Sequence, residues 1–213
     1  MGQIISVIGQ KGGPGKSTLA RAIGTCYAAA EWDVKIADLD INQSTSFTWL
    51  QRRLHNNITP VVAVEVFGTA GQAMKQAGNY DLFIVDGAPT ASRATSEVSK
   101  VADLIVIPTG LALDDLEPSV GLANNLKKEG VNPKRICFVF NRASGSKVEY
   151  QEAQDYLSDT PYHLIDGRIE DKPCYRQAMN EGRSITESRF KQPREKADHV
   201  VQNIINRLEE LTN

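Results

Sequence analysis

The sequence predicts an α/β fold: a doubly wound, mostly parallel twisted sheet with helices on both faces. Three observations carry this prediction. Short apolar, β-branched runs recur along the chain, helical stretches lie between most of them, and several of the runs end abruptly in glycines or acids. Strands that are apolar throughout are buried on both faces, as a parallel sheet requires. In such sheets ligands bind beyond the carboxyl ends of the strands, so the chemistry is expected just after the apolar runs.

The elements follow in chain order. A first strand, Ile4–Ile8, runs into the glycine-rich stretch GQKGGPGKST. Ser17–Ala30 then carries Leu19, Ala20, Ile23, Tyr27 and Ala30 at helical spacing. A strand at Val34–Ala37 leads to DLD, and TSFTWLQRR at Thr45–Arg53 is a helix that sets Trp49 beside Arg52 and Arg53. Two readings of that helix stay open: it moves with ligand state, or Trp49 simply packs. Strands at Val61–Val66, Leu82–Val85 and Leu104–Ile107 follow, the second ending in DGAP. A helix at Leu116–Glu129 precedes a strand at Ile136–Phe140. The stretch Pro193–Leu211 is one long amphipathic helix with Ala197, Val200, Val201, Ile204, Ile205 and Leu208 as its stripe. No repeat, low-complexity tract or Pro/Gly/Ser-rich linker divides the chain, so residues 1–213 are expected to form a single domain.

Composition narrows the class. Of 213 residues 41% are apolar and 23% charged, with a formal net charge of -2, which fits a globular chain. That balance argues against a protein coated in positive charge but leaves room for a local basic patch. Cys26, Cys137 and Cys174 are far apart and form no C-x-x-C pair, as expected for reduced thiols in the cytoplasm. No apolar run approaches the roughly 18 residues that span a bilayer, and the start shows no signal peptide.

The glycine-rich stretch departs from the usual phosphate-loop pattern, G-x-x-x-x-G-K-[ST]. Gln10 stands where the first glycine belongs, and an extra lysine, Lys11, sits at the front. Gly12, Gly13 and Gly15 permit close backbone approach, so successive N–H groups can wrap a polyphosphate at a helix N-terminus. Lys16 is expected on the β- and γ-phosphates, Ser17 on Mg²⁺ and Thr18 on the α-phosphate. In DLD, alternation sends Asp38 and Asp40 out of the strand end with Leu39 turned elsewhere; a helix-capping or turn role is the ordinary alternative. The apolar strand ending in Asp86 has the Walker B form, with the acid reaching Mg²⁺. Gly87 and Pro89 shape the turn after it.

Together, KGGPGKST, DLDINQS, VDGAP and the VFNR around Asn141 resemble the ParA/MinD family of deviant-Walker ATPases over essentially the whole chain. The resemblance implies a role for the extra lysine. Lys11 would reach across a homodimer interface to the phosphates of the partner's ATP, offsetting repulsion between facing polyphosphates. It also implies that Lys11, Lys16 and Asp40 are catalytic, Asp40 positioning the attacking water. ATP is implied to sit on Lys11, Gly12, Gly13, Pro14, Gly15, Lys16, Ser17, Thr18, Asn141 and Arg142, with Asn141 on the adenine edge. Ser17, Asp38 and Asp86 are the implied magnesium residues. Two departures stand out: Ile41-Asn42-Gln43 replaces the family's Pro-Gln after DxD, and Gly87 is inserted before Ala88-Pro89 with Thr90 following.

Within that family the chain is expected to be a small partition ATPase without an N-terminal helix-turn-helix, cytoplasmic and nucleoid-associated. The expected partners are a second copy of itself, non-specific DNA, and a cargo- or centromere-bound protein. The final helix carries Glu209 and Glu210, one cation and no aromatics at its end, so it reads as a packing helix rather than a membrane anchor. Arg176, Arg183, Arg189, Lys191, Arg194 and Lys196 cluster near the C-terminus and are the candidate DNA contacts, with Glu181, Glu187 and Glu195 among them. The alternatives are a MinD-like or organelle-positioning ATPase, a P-loop metabolic ligase, and a metal-cluster carrier, the last of which wants a C-x-x-C.

Overall fold

The computed structural model describes residues 2–13, 15–88 and 93–213. Seven strands form one sheet: β1 (Gln3–Val7), β2 (Val34–Asp38), β3 (Ala63–Val66), β4 (Leu82–Asp86), β5 (Leu104–Thr109), β6 (Ile136–Ala143) and β7 (His163–Glu170). Their order is β3-β2-β4-β1-β5-β6-β7, and every pairing is parallel.

Alternation along each strand builds both faces of the core. Ile5, Val7, Leu82, Ile84, Leu104, Val106, Cys137 and Val139 point to one face. There they meet α1 (Lys16–Ala29), α2 (Thr45–His55), α7 (Pro173–Asn180) and α8 (Lys191–Thr212). Phe83, Val85, Ile105, Ile107, Phe138 and Phe140 point to the other. They pack on α3 (Ala70–Met74), α4 (Arg93–Val101), α5 (Leu113–Lys128) and α6 (Lys147–Ser158). Each fully buried Ile, Leu or Phe contributes about 1.5–3 kcal/mol, so the sheet is held from both sides.

The expected fold class is the observed one, with helices starting or ending a few residues from their predicted bounds. Strand β3 begins at Ala63 rather than Val61, and α5 begins at Leu113, running through Pro118. Helix α8 buries Ala197, Val200, Val201, Ile204 and Leu208 against the core, as its stripe predicts. Among the described residues no helix is long and apolar enough to cross a membrane.

Candidate functional site

Three strand ends meet at the carboxyl edge of the sheet. The register sets Asp38 opposite Asp86 and Val7 opposite Asp86. The two carboxylates therefore lie side by side, next to the start of the glycine-rich loop. The Gly87 N–H donates to the Val7 carbonyl at 2.9 Å. A Cβ at Gly87 would stand 3.0 Å from Ile8 Cγ2 and 3.1 Å from that carbonyl oxygen. The inserted glycine thus suits the tight approach of this turn to β1.

The loop itself is built on left-handed backbone: φ is +105° at Gly13 and +98° at Gly15, conformations that glycine adopts without a Cβ penalty. At Gly15 a Cβ would fall 1.7 Å from the amide nitrogen of Asn141. Asn141 is buried against the loop from the end of β6. Helix α1 starts at Lys16 with no side-chain cap, so its first N–H groups face a cavity of about 500 Å³. Gly12, Gly13, Gly15, Lys16, Ser17 and Thr18 line it, together with Asp40 and Arg142. Pro14, Pro89 and Thr90 lie outside the described residues.

The two lysines point apart. Lys16 Nζ donates to the Lys11 carbonyl at 3.0 Å. Burial pulls its pKa down, and Asp86 and Asp40 pull it back up. Lys11 turns its ammonium to the first turn of α5, onto the Asp114 carbonyl and, at 3.2 Å, the Asp115 carboxylate. Its side chain is 47% exposed.

The acids divide their labour. Asp38 is fully buried and largely occupied: Oδ1 accepts the Asp40 N–H at 3.0 Å, and Oδ2 accepts those of Ser46 at 2.9 Å and Phe47 at 3.4 Å. It caps α2, whose preceding residue Ser44 is left-handed and makes no side-chain cap. Burial raises the Asp38 pKa, while these backbone bonds and Arg21 oppose the rise. Asp86 is also buried, and burial followed by the neighbouring Asp38 raises its pKa to about 6. Its Oδ2 accepts the Ser46 hydroxyl at 2.7 Å, and its Oδ1 has no hydrogen-bond partner among the described residues. Asp40 lies past the strand, where Oδ1 accepts the Gln43 N–H at 3.1 Å and closes a turn that leaves Ile41 exposed.

The Asp86 oxygen and the Ser17 hydroxyl, 2.9 Å from that of Thr45, are hard donors that suit magnesium. Among the described residues no three His, Cys, Asp or Glu side chains converge on a metal cage. That also fits magnesium, which keeps waters and takes phosphate oxygens to complete its shell.

Several residues join the site without having been foreseen. Arg21 lies one helical turn beyond Ser17 and donates from Nε to Ser46 at 3.1 Å; the spacing on α1 was the available signal. Thr48 and Arg52 line the cavity from α2, and Met179 and Asn180 from α7; nothing local announces the last two. Trp49 is buried, with its indole N–H on the Arg183 carbonyl at 2.9 Å, so it packs. Its neighbour Arg53 is buried too, bidentate to Glu187 at 2.7 Å.

The candidate DNA cations do not line this cavity, although Arg176 lines a smaller one beside Thr18, Asn141 and Arg142, and most carry acids. Arg176 pairs with Asp171. Arg183 and Arg189 share Glu181 at 3.6 and 3.0 Å, Lys191 meets Glu195 at 3.8 Å, and Lys196 meets Glu170 at 3.3 Å. Arg194 stands in the first turns of α8 near Asp198.

Comparison with known proteins places this geometry. Residues 5–185 match the family model described as the CobQ/CobB/MinD/ParA nucleotide binding domain. The maintenance of carboxysome distribution protein A of Gloeobacter kilaueensis is 27% identical over 196 residues, covering 91% of this chain and 88% of its own. Protein ParA of Rhizobium radiobacter is 27% identical over 198 residues, covering 89% and 87%. The crystal structure of the Pyrococcus furiosus cell division ATPase MinD shares the fold, with a TM-score of 0.77 at 17% identity over 97% of this chain and 99% of that one.

Proposed function

Because the chain belongs to the CobQ/CobB/MinD/ParA nucleotide-binding family, we infer that it is an ATPase that forms a homodimer around ATP and uses the hydrolytic cycle to position a cargo. The observation that supports this most is the direction of Lys11. Its ammonium is turned away from its own phosphate cavity, onto the Asp114 carbonyl and the Asp115 carboxylate, and stays half-exposed, so a second copy facing this edge would draw it from an exposed ion pair. Lys16 remains behind to neutralise the chain's own phosphates.

The residues then take these parts. The Gly12–Thr18 backbone and the α1 N-terminus bind the polyphosphate, with Thr18 at the α-phosphate. Asn141 and Arg142 border a second cavity of about 140 Å³ that opens beyond Thr18 and suits the base. Ser17 and Asp86 hold magnesium, which when bound neutralises charge growing on the β- and γ-phosphate oxygens. Asp38, expected beside Ser17 and Asp86 in the magnesium shell, gives both oxygens to backbone N–H groups and would act on the metal's surroundings by fixing the loop that carries Asp40. Asp40, which lines the cavity, orients the attacking water. Lys11 of each copy stabilises charge on the other's phosphates.

The cargo reading is non-specific DNA held by the ATP-bound dimer, with a cargo-bound partner protein stimulating hydrolysis and release. A second reading, positioning of a protein organelle, is favoured by the carboxysome-distribution relative; the two share all of the chemistry above. The test is binding of non-specific duplex DNA with no nucleotide, with ADP, and with a slowly hydrolysed ATP analogue, at two salt concentrations. Binding only in the ATP-like state, weakening steeply with salt, supports the DNA reading. A chain that takes up nucleotide but ignores DNA under all three conditions contradicts it and moves the cargo to a protein surface.

A further inference from the structure

Ser46, the second residue of α2, is fully buried and makes three polar contacts. Its backbone N–H donates to Asp38 Oδ2 at 2.9 Å. Its hydroxyl lies 3.1 Å from Arg21 Nε and 2.7 Å from Asp86 Oδ2. The polarity of that chain is determined. A guanidinium only donates, so the Ser46 oxygen accepts from Arg21 and its one hydrogen goes to Asp86.

The backbone bond to Asp38 already caps the helix, so capping does not account for the hydroxyl. Its effect is on Asp86. It bridges a buried guanidinium and a buried carboxylate. It also occupies Oδ2 and leaves Oδ1, unpartnered among the described residues, as the oxygen available to a ligand. We propose that Ser46 is a positioning residue for magnesium: its hydroxyl fixes the rotation of Asp86 and so the direction in which Oδ1 points. This rests on reading the cavity as a magnesium–nucleotide site.

The same hydroxyl joins three elements. Arg21 lies on α1 one turn from Ser17, Ser46 lies on α2 beside Thr45, and Asp86 ends β4. Ser17 and Thr45 are themselves 2.9 Å apart through their hydroxyls. Both proposed magnesium residues are therefore referenced to the start of α2. A polar residue behind a metal ligand typically sets metal affinity by about ten- to a hundred-fold, without touching the metal.

The test uses the full chain and a fluorescent ATP analogue, titrated with Mg²⁺ and also measured in EDTA. Parent, Ser46→Ala, Ser46→Cys and Ser46→Thr are compared, with melting temperature as the check on folding. Ser46→Ala is expected to raise the Mg²⁺ midpoint about ten- to a hundred-fold, with affinity in EDTA changed by less than about threefold. Ser46→Thr keeps the hydroxyl and should stay within about threefold of the parent. Ser46→Cys, a weak donor of similar size, should shift in the direction of alanine and carries the test if alanine does not fold. A parent-like midpoint in Ser46→Ala or Ser46→Cys overturns the proposal. So does an equal loss with and without Mg²⁺, which is the mark of a merely structural role. A parent whose nucleotide binding ignores Mg²⁺ overturns the underlying reading of the cavity, and this proposal with it.

Discussion

Charge is handled in opposite ways at the strand ends and in the segment 176–196. At the strand ends the charged groups are few, buried and incompletely satisfied: Lys16 holds only a loop carbonyl and Asp86 keeps a free oxygen among the described residues. In 176–196 they are many and exposed, and five of the six candidate cations have an acid within ion-pair distance. Leaving a buried polar group unpaired costs about 1–3 kcal/mol; Asp86 Oδ1 is one of several such atoms among the described residues, and the one that lies beside the phosphate cavity. An exposed pair costs and yields little. A buried, unpartnered carboxylate oxygen next to a glycine-rich loop therefore marks a site more sharply than a count of like charges does, whereas an unpartnered atom alone does not: Arg183 Nε, in the second region, has no hydrogen-bond partner either.

Mutations at the two regions can break that comparison. The largest effect is expected at Lys16→Ala, which removes the buried cation from the phosphate cavity and should weaken ATP binding at least about a hundred-fold, read by calorimetric titration. Arg53→Leu comes next. It leaves Glu187 without its bidentate partner, and breaking a buried pair costs about 3–5 kcal/mol, measurable by chemical denaturation.

Asp86→Asn should act in two directions. It abolishes magnesium-dependent nucleotide binding, yet it stabilises the apo chain by about 1–3 kcal/mol at neutral pH. The sign follows from the raised pKa. Between the ordinary value of 3.8 and about 6 the folded chain holds a proton that the unfolded chain has lost. Stability contributed there falls as pH rises through that window and is flat above it. The asparagine variant lacks this fall, and melting temperatures across pH 4–7 read it directly.

Smaller effects sharpen the other side. Glu181 holds both Arg183 and Arg189. If that segment contacts DNA, Glu181→Gln unmasks two cations and should tighten non-specific binding several-fold at low salt, with a steeper salt dependence. No change would remove Arg183 and Arg189 from the interface. Arg176→Ala, at an exposed pair, should alter stability by less than about 1 kcal/mol.

The same contrast explains what was legible in the sequence. The phosphate loop and the acids after β2 and β4 were readable because glycine spacing and strand-end acids are local patterns. The inserted Gly87 was noticed, but its cause, the approach to Val7 and Ile8, is a contact across strands. Strand β7 gives little signal because this edge strand buries only Ile165 and Ile169, with exposed His163 before them and exposed Asp166 between them. Helix α6 buries only Ala153 and Leu157, too thin a stripe to register. Arg53 reads as surface charge in sequence and is buried in the fold because Glu187, 134 residues away, meets it. Ser46 gave no signal, since its meaning lies in the meeting of α1, α2 and β4.

Light scattering of the parent and Lys11→Ala, with Mg²⁺ and either ADP or a slowly hydrolysed ATP analogue, shows whether Lys11 serves a second copy. The parent is expected to double in mass only with the ATP analogue. Lys11→Ala is expected to bind the analogue within about threefold of the parent, because Lys16 supplies the cation in its own cavity, and to remain a monomer. A parent whose mass does not depend on nucleotide, or a Lys11→Ala variant that dimerises as the parent does, would contradict the account.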